Sequence, residues 1–122
     1  MPSRRDLDPC DIPQLLPHIV LVDVQHEPTL DFRYRLIGSA VLDRMAEDLN
    51  GLFMSEIPHQ RRGTAFWNNY AMVAEGRRPR FVDVTYVGPD QRVRGVQDML
   101  MPLSNDGDKV NMIFAAVEFE FS

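Results

Sequence analysis

The residues best suited to chemistry are three aspartates that interrupt apolar, strand-like runs. Asp23 lies within HIVLVDVQH, Asp83 within RFVDVTYV, and Asp98 within the run from Val93 to Leu103. A carboxylate in apolar surroundings must be paired or have its pKa raised, and a carboxyl with a raised pKa can serve as a general base. Arginines on neighbouring runs could supply cross-strand ion pairs: Arg33, Arg35, Arg92 and Arg94. The pattern therefore predicts either cross-strand ion pairs or a general base in a cavity.

The histidines do not cluster in the sequence. His18, His26 and His59 are far apart, and a lone histidine at a strand end is usually a hydrogen-bonded structural residue. The chain contains no GxGxxG, GxxxxGK[ST], HExxH, CxxC or GxSxG motif. An enzyme hypothesis therefore takes the form of a small α+β isomerase or dehydratase of the cone-shaped kind. It would use Asp23, Asp83 or Asp98 as base, assisted by His18 or His26.

A second group of side chains is typical of the walls of a small-molecule pocket, which are mostly apolar with a few polar groups. These candidate ligand-binding residues are Tyr34, Trp67, Tyr70, Gln97, Met99, Met101, Met112 and Phe114. The seven methionines of the chain would give such a pocket an adaptable lining. The same residues would also fill a solid core, so both interpretations stay open. No catalytic or metal-binding set is assigned.

Length and charge restrict the class of protein. A chain of 122 residues is expected to form one domain, residues 1–122. Its net charge of −5 argues against nucleic acid as a partner. No apolar run approaches the roughly 20 residues of a membrane span, and the start MPSRRDLDP lacks the apolar region of a signal peptide. With Cys10 as the single cysteine, we expect a soluble, cytoplasmic protein without disulfides.

Proline and glycine divide the chain into one short helix, two strands, a helical block and three further strands. The short helix is predicted over about residues 8–16, where Asp8-Pro9 provides an N-cap followed by proline. Strand patterns cover residues 18–26, 30–37, 80–87, 93–103 and 109–121. Helical patterns cover residues 39–46, and 61–75 with Gly76 closing the longer helix. The core of the domain is thus expected between residues 18 and 121.

The final strand fixes the expected topology. Its apolar residues occupy both alternate sets of positions, which indicates a central strand buried on both faces. Asp106-Gly107 supplies the positive φ for a hairpin with the preceding strand. We therefore predict an α+β fold with a five-stranded antiparallel sheet of order 2-1-5-4-3 and a helical block between strands 2 and 3. Because both faces of the last two strands are apolar, the sequence does not indicate which face meets the helices.

This arrangement is similar to the PAS sensor-domain fold, in which helices lean over one sheet face and enclose a small-molecule pocket. The segments FRYRLIGSAVLDRMAEDLNG, GRRPRF and MLMPLSNDGDKV resemble those of a bacterial, mainly alphaproteobacterial, subfamily of single-domain PAS-like proteins. The resemblance covers about residues 4–119. It implies a sensory or ligand-binding fold without naming a ligand, since that subfamily has no generally assigned function. Our first hypothesis is therefore a sensory or regulatory domain that binds a small organic ligand and self-associates as a homodimer.

The resemblance also restricts the cofactor. Flavin-binding light sensors of this kind carry a reactive cysteine in the helical block, and residues 39–75 contain none, so a photoadduct is excluded. Haem-binding members use a histidine of the helix that faces the sheet, whereas the only histidine of this block is His59, beside Pro58. The cofactor therefore stays unknown. The helical kinase linker that usually follows such a module is absent before Ser122, so output through a partner, a dimer interface or residues outside the given sequence is expected. A ligand-free interaction adaptor is the third hypothesis, which an absent cavity and an exposed apolar patch would favour.

Overall fold

The computed structural model of the protein describes residues 13–121. The short helix predicted over residues 8–16 lies largely outside the described residues, as does Cys10. Its described part is a 3-10 helix, Pro13–His18, which includes Pro17 rather than ending before it. This 3-10 helix leads directly into the first strand.

Five strands form one antiparallel sheet: β1 (Ile19–Gln25), β2 (Asp31–Ile37), β3 (Arg80–Val84), β4 (Val93–Leu103) and β5 (Met112–Phe121). Their order is β2-β1-β5-β4-β3, which confirms the predicted α+β topology. β5 lies at the centre because its residues from Met112 to Ala115 are all buried, so its two alternating sets of side chains face two apolar layers. A central strand of this kind has no edge exposed to solvent.

The helical block between β2 and β3 is smaller than predicted. It contains α1 (Ser39–Leu42), the 3-10 helix Met54–Glu56 and α2 (Ala65–Gly76). α2 begins later than the expected residue 61 because the Thr64 hydroxyl accepts a hydrogen bond from the Trp67 amide over 3.1 Å and caps the helix. Gly76 was predicted to close this helix, but it is the last helical residue, and Arg77 adopts the left-handed closing conformation instead, with φ of 58°.

The strand register assigns every side chain to one of two sheet faces. The helix-facing layer forms the main core, which includes Val22 and Phe32 from β1 and β2 and Leu100 and Ile113 from β4 and β5. The other layer is the outer face, whose buried members are Ile19, Leu21, Leu103, Met112 and Phe114. The functional candidates therefore divide according to which face their strand position gives them.

Gly38 joins the start of the chain to the helical block. Its amide donates to the carbonyl of Ile19 over 2.7 Å, at the junction of β2 and α1. A Cβ at this position would lie 2.5 Å from the carbonyl oxygens of Leu16 and Pro17. Only glycine fits this close approach between the N-terminal 3-10 helix and α1.

Candidate functional site

A cavity of about 430 Å³ lies between the helix-facing side of the sheet and the helical block. Small-molecule sites have volumes of roughly 300 to 1,000 Å³, so this one falls within their range. Most of its wall is apolar: Val20, Ile37, Val41, Leu49, Val96 and Val117. The segment that follows α1, residues 44–47, and the segment that follows β3, residues 85–87, complete the wall. All five strands, together with both α-helices, thus contribute to one enclosure.

A hydrogen bond of Tyr34 crosses the wall of this cavity. The Tyr34 hydroxyl donates to Oε1 of Gln60 over 2.6 Å, which ties β2 to the segment before α2. Both side chains are almost fully buried. Burial raises the pKa of Tyr34 far above its usual value. The hydroxyl therefore stays protonated and acts as a neutral polar group of the wall.

Asp98 is the buried carboxyl of the cavity. It lies on β4 opposite Val82 of β3 and Val117 of β5, with 5% of its surface exposed. Its Oδ1 atom is buried and has no hydrogen-bond partner within residues 13–121. Loss of solvation raises the pKa of this carboxyl to about 7. A carboxyl in this state is close to half ionised at neutral pH.

Tyr34 and Tyr70 are two tyrosines near Asp98 whose pKa values its charge affects. Burial is the main cause that raises the pKa of Tyr70, and the nearby Asp98 charge raises the pKa of both Tyr34 and Tyr70 further. Tyr70 also stacks on Phe66 of α2, with ring centroids 5.3 Å apart. β2, α2 and β4 therefore bring three polar groups towards one apolar space.

Arg44 forms the part of the wall that follows α1. Its Nη1 donates to the Ala40 carbonyl over 2.8 Å, and its guanidinium carbon lies 5.2 Å and 5.0 Å from the ring centroids of Phe119 and Phe121. The Tyr86 hydroxyl donates to the Arg44 carbonyl over 2.6 Å. This contact joins the segment after α1 to the segment after β3 across the cavity wall.

The structure brings two of the eight predicted ligand-binding residues to the cavity, Tyr34 and Tyr70. Trp67 is buried beside them but does not line the cavity. Its ring lies edge-on to that of Phe32, with centroids 4.9 Å apart, and the Arg62 guanidinium covers it at 4.9 Å. Trp67 therefore belongs to the packed core between sheet and α2.

The other five predicted residues lie on the outer face, separated from Tyr34 and Tyr70 by the sheet. Met101, Met112 and Phe114 pack in the outer-face cluster. Gln97 and Met99 flank Asp98 on β4, and because side chains alternate along a strand they share that outer face. The expectation that all eight would line one cavity is corrected by the strand register, which the two-sided apolar pattern left open.

The carboxylates and histidines of the enzyme hypothesis do not converge. Asp23 pairs with Arg35, whose Nε lies 3.0 Å from both carboxylate oxygens, as the cross-strand ion-pair interpretation predicted. A ring nitrogen of His26 lies 2.6 Å from the Val110 carbonyl, and His18 is exposed at the end of its 3-10 helix. Neither histidine lines the cavity. Asp98 is the only one of the three aspartates that is buried.

Asp83 borders the cavity but is exposed, and its carboxylate lies 3.4 Å from the Gln97 side-chain amide on the outer face. His59 also lines the cavity with an exposed side chain, and so lies where the cavity meets solvent. Among residues 13–121, no group of three histidine, cysteine, aspartate or glutamate side chains is placed to hold a metal ion.

Sequence reasoning missed three residues of the site, Arg44, Gln60 and Tyr86. Gln60 lies in a segment without regular structure, where no periodicity indicates which way a side chain points. Arg44 and Tyr86 likewise follow the last residues of α1 and β3. The available signals were a tyrosine in the largely apolar segment VTYVG and an arginine in the mixed segment RMAED.

A five-stranded antiparallel sheet of order 2-1-5-4-3 with helices packed over one face and a cavity beneath them defines a PAS-like α+β domain. The family model of the PAS domain matches residues 1–117. The chain therefore belongs to the PAS domain family, and its general role is that of a sensory or regulatory domain. Searches of curated proteins and of solved structures return no significant match. No helix among the described residues is long and apolar enough to cross a membrane.

Proposed function

We propose that this PAS domain binds a small organic molecule in the cavity between sheet and helices, and that it signals through self-association or a partner protein. The observation that carries the proposal is the cavity itself, about 430 Å³ with apolar walls and a few buried polar groups. The cavity is a concave, mostly apolar space that meets solvent near His59, and a space of this size and character favours a binding site over a filled core. It also argues against the ligand-free adaptor, for which an absent cavity was expected.

Native mass spectrometry tests the ligand. Protein purified from rich medium is expected to carry an extra mass that leaves on denaturation. A Val96→Phe variant adds volume to the cavity wall and should lose that mass, whereas Met99→Phe adds volume on the outer face and should keep it. A native mass equal to the bare chain in every preparation would contradict the proposal.

Self-association is proposed to use the outer face of the sheet. The register aligns Phe81, Met99 and Ala116 in one row across β3, β4 and β5, and the row ends at the buried Ile19 of β1. Phe81 at the β3 edge is 74% exposed, and Leu36 at the β2 edge of the same face is 43% exposed. Exposed apolar side chains on one surface are typical of an interaction site.

Sedimentation velocity tests this part. Phe81→Glu is expected to convert dimers to monomers, whereas Met72→Glu, an equally drastic change at an exposed position of α2, should not. A wild-type protein that stays monomeric at high concentration would refute the dimer.

The proposal also places the protein in the cytoplasm, as the single cysteine led us to expect, and cell fractionation checks that location.

A second candidate function is favoured by one observation, the buried Asp98 carboxyl with its raised pKa. Groups of this kind are often general bases, and proton abstraction next to a carbonyl is the reaction that an isomerase would require. The test is catalysed exchange of α-hydrogens for deuterium in a panel of small ketones. Exchange that the wild type catalyses and Asp98→Asn does not would favour the enzyme over the sensor.

A further inference from the structure

Within residues 13–121 two buried side-chain atoms have no hydrogen-bond partner, and both belong to residues that line the cavity: Nε of Arg44 and Oδ1 of Asp98. The Arg44 guanidinium lies over the rings of Phe119 and Phe121, and aromatic faces attract cations. Its Nη1 also donates to the Ala40 carbonyl. Arg44 is therefore already accommodated, and Asp98 is the group whose interaction is missing.

Among residues 13–121, no cationic side chain pairs with Asp98 in the structure. No ion pair that the structure shows among the described residues includes it, and loss of solvation alone accounts for its altered ionisation. The groups that face it from β2 and α2 are the neutral hydroxyls of Tyr34 and Tyr70. The other ionisable side chains that line the cavity are Arg44, Tyr86 and three exposed residues: Glu47, His59 and Asp83.

A buried carboxyl without a partner destabilises the folded protein, and it persists where a bound molecule uses it. The carboxyl has lost its water when the chain folds, so a ligand that pairs with it must offset only the ligand's own desolvation. An ammonium group gains most from such a carboxylate because the hydrogen bond is charge-assisted. The apolar wall around Asp98, including Val96 and Val117, suits a hydrocarbon body attached to that group.

We propose that the cavity selects a small organic cation, an amine with an apolar body, and that Asp98 is the residue that binds its ammonium group. This inference rests on the proposed ligand-binding function and adds the chemical class of the ligand. Tyr34 and Tyr70 position the amine through their hydroxyls, and Phe66 contacts its apolar part. An anionic ligand is disfavoured because it would place two like charges together in a buried space.

Four probes that share one phenyl body test the class: phenethylamine, phenethyl alcohol, ethylbenzene and phenylpropionate. Their affinities for the purified, ligand-stripped protein are measured by isothermal titration calorimetry at pH 8. Phenethylamine is expected to bind at least tenfold more tightly than the alcohol and the hydrocarbon, and phenylpropionate is expected to bind most weakly. Asp98→Asn should reduce phenethylamine affinity roughly 10- to 100-fold and leave ethylbenzene affinity unchanged. Glu118→Gln, which removes an exposed carboxylate from the outer face, is the matched control and should change neither.

The pH dependence gives a test that needs no variant. Phenethylamine stays protonated between pH 5 and 8, so its affinity should rise with pH as Asp98 ionises, by nearly tenfold per unit below the carboxyl pKa of about 7. A ligand that accepts a hydrogen bond from the neutral carboxyl would show the opposite slope. His59→Gln, a change at the cavity rim, should preserve the rise because the proposal assigns the pH dependence to Asp98.

The outcomes separate the two proposals. If the alcohol or the hydrocarbon binds as tightly as the amine and Asp98→Asn changes none of them, the cavity binds ligands and the cation proposal is overturned. If a co-purified molecule lacks a basic nitrogen, the same conclusion holds. If no probe binds and the native mass is that of the bare chain, ligand binding itself fails, and the cation proposal fails with it.

Discussion

The Tyr34 hydroxyl and the Gln60 side-chain carbonyl are joined by a 2.6 Å hydrogen bond that connects β2 to the segment preceding α2. Both residues are buried, so neither group can turn to water when its partner is removed. Tyr34→Phe should therefore destabilise the protein by about 1–3 kcal/mol, because the buried side-chain carbonyl of Gln60 would then lack a hydrogen-bond donor. Urea unfolding gives the free energy.

A double-mutant cycle shows whether this energy belongs to the pair. Gln60→Leu removes the acceptor at similar size, and the double variant Tyr34→Phe with Gln60→Leu should be less destabilised than the sum of the two single variants by about 1 kcal/mol. Additive effects would mean that the two side chains act independently.

Asp98 predicts an unusual dependence of stability on pH. Its folded pKa is raised from an ordinary 3.8 to about 7, so between these values the folded state binds more protons than the unfolded state. Stability must then fall as pH rises from about 4 to about 7, by up to roughly 4 kcal/mol at about 1.4 kcal/mol per pKa unit. Asp98→Asn should remove this decline, so that the variant is more stable than wild type at pH 8 and similar to it at pH 4.

Denaturant titrations at pH 4, 6 and 8 measure this effect. The control is Glu118→Gln, which removes an exposed carboxylate from the outer face of the sheet. The stability of this variant should vary with pH as that of the wild type does. An Asp98→Asn variant that is less stable than wild type at pH 8 would show that the carboxylate has a partner after all.

Trp67 and Phe66 are neighbours on α2 with different surroundings. Trp67 is packed against Phe32 in the core, whereas Phe66 is half-buried and lines the cavity. Trp67→Ala should cost about 3–5 kcal/mol of stability, and Phe66→Ala distinctly less, because part of the surface around Phe66 already faces open space. Thermal unfolding measures the stability of the two variants. Equal losses of stability would mean that Phe66 also belongs to the packed core.

Gly38 and Gly76 should respond to alanine with opposite signs. At Gly38 a Cβ would lie 2.5 Å from two backbone carbonyl oxygens, which cannot move as a flexible side chain would, so Gly38→Ala should destabilise by about 1–3 kcal/mol. At Gly76, in the last turn of α2, nothing lies within 4 Å of that position. Gly76→Ala should stabilise by about 0.4–1 kcal/mol through the unfolded chain. Chemical denaturation compares both variants with wild type, and a tolerated Gly38→Ala would show that the 3-10 helix Pro13–His18 can shift.

The strands were predictable because alternation and turn residues report the backbone directly. The central position of β5 followed from its two apolar faces, and that same property prevented any assignment of Met112 and Phe114 to one side. Asp98 was recognisable as an unusual residue on a strand, but its isolation from cations depends on the register with Val82 and Val117. Tertiary contacts of this kind carry no sequence period.

The helical block was the least predictable region. α1 has only four residues, and the cavity wall after it depends on Arg44, which is held by rings 75 or more positions later in the chain. Local propensity has no information on such a contact. The wall of the candidate site is thus determined mainly by packing between segments distant in sequence.

The alternation along β4 also has a practical consequence for spectroscopy. Met99 and Met101 flank Asp98 and Leu100 in the chain, yet their methyl groups lie on the outer face, within the thickness of a single peptide layer from the cavity. Labelled with carbon-13, these methyl groups would report on ligand binding without contacting a ligand in the cavity. If their resonances change when a ligand fills the cavity, ligand binding alters the structure or dynamics of the opposite face of the sheet.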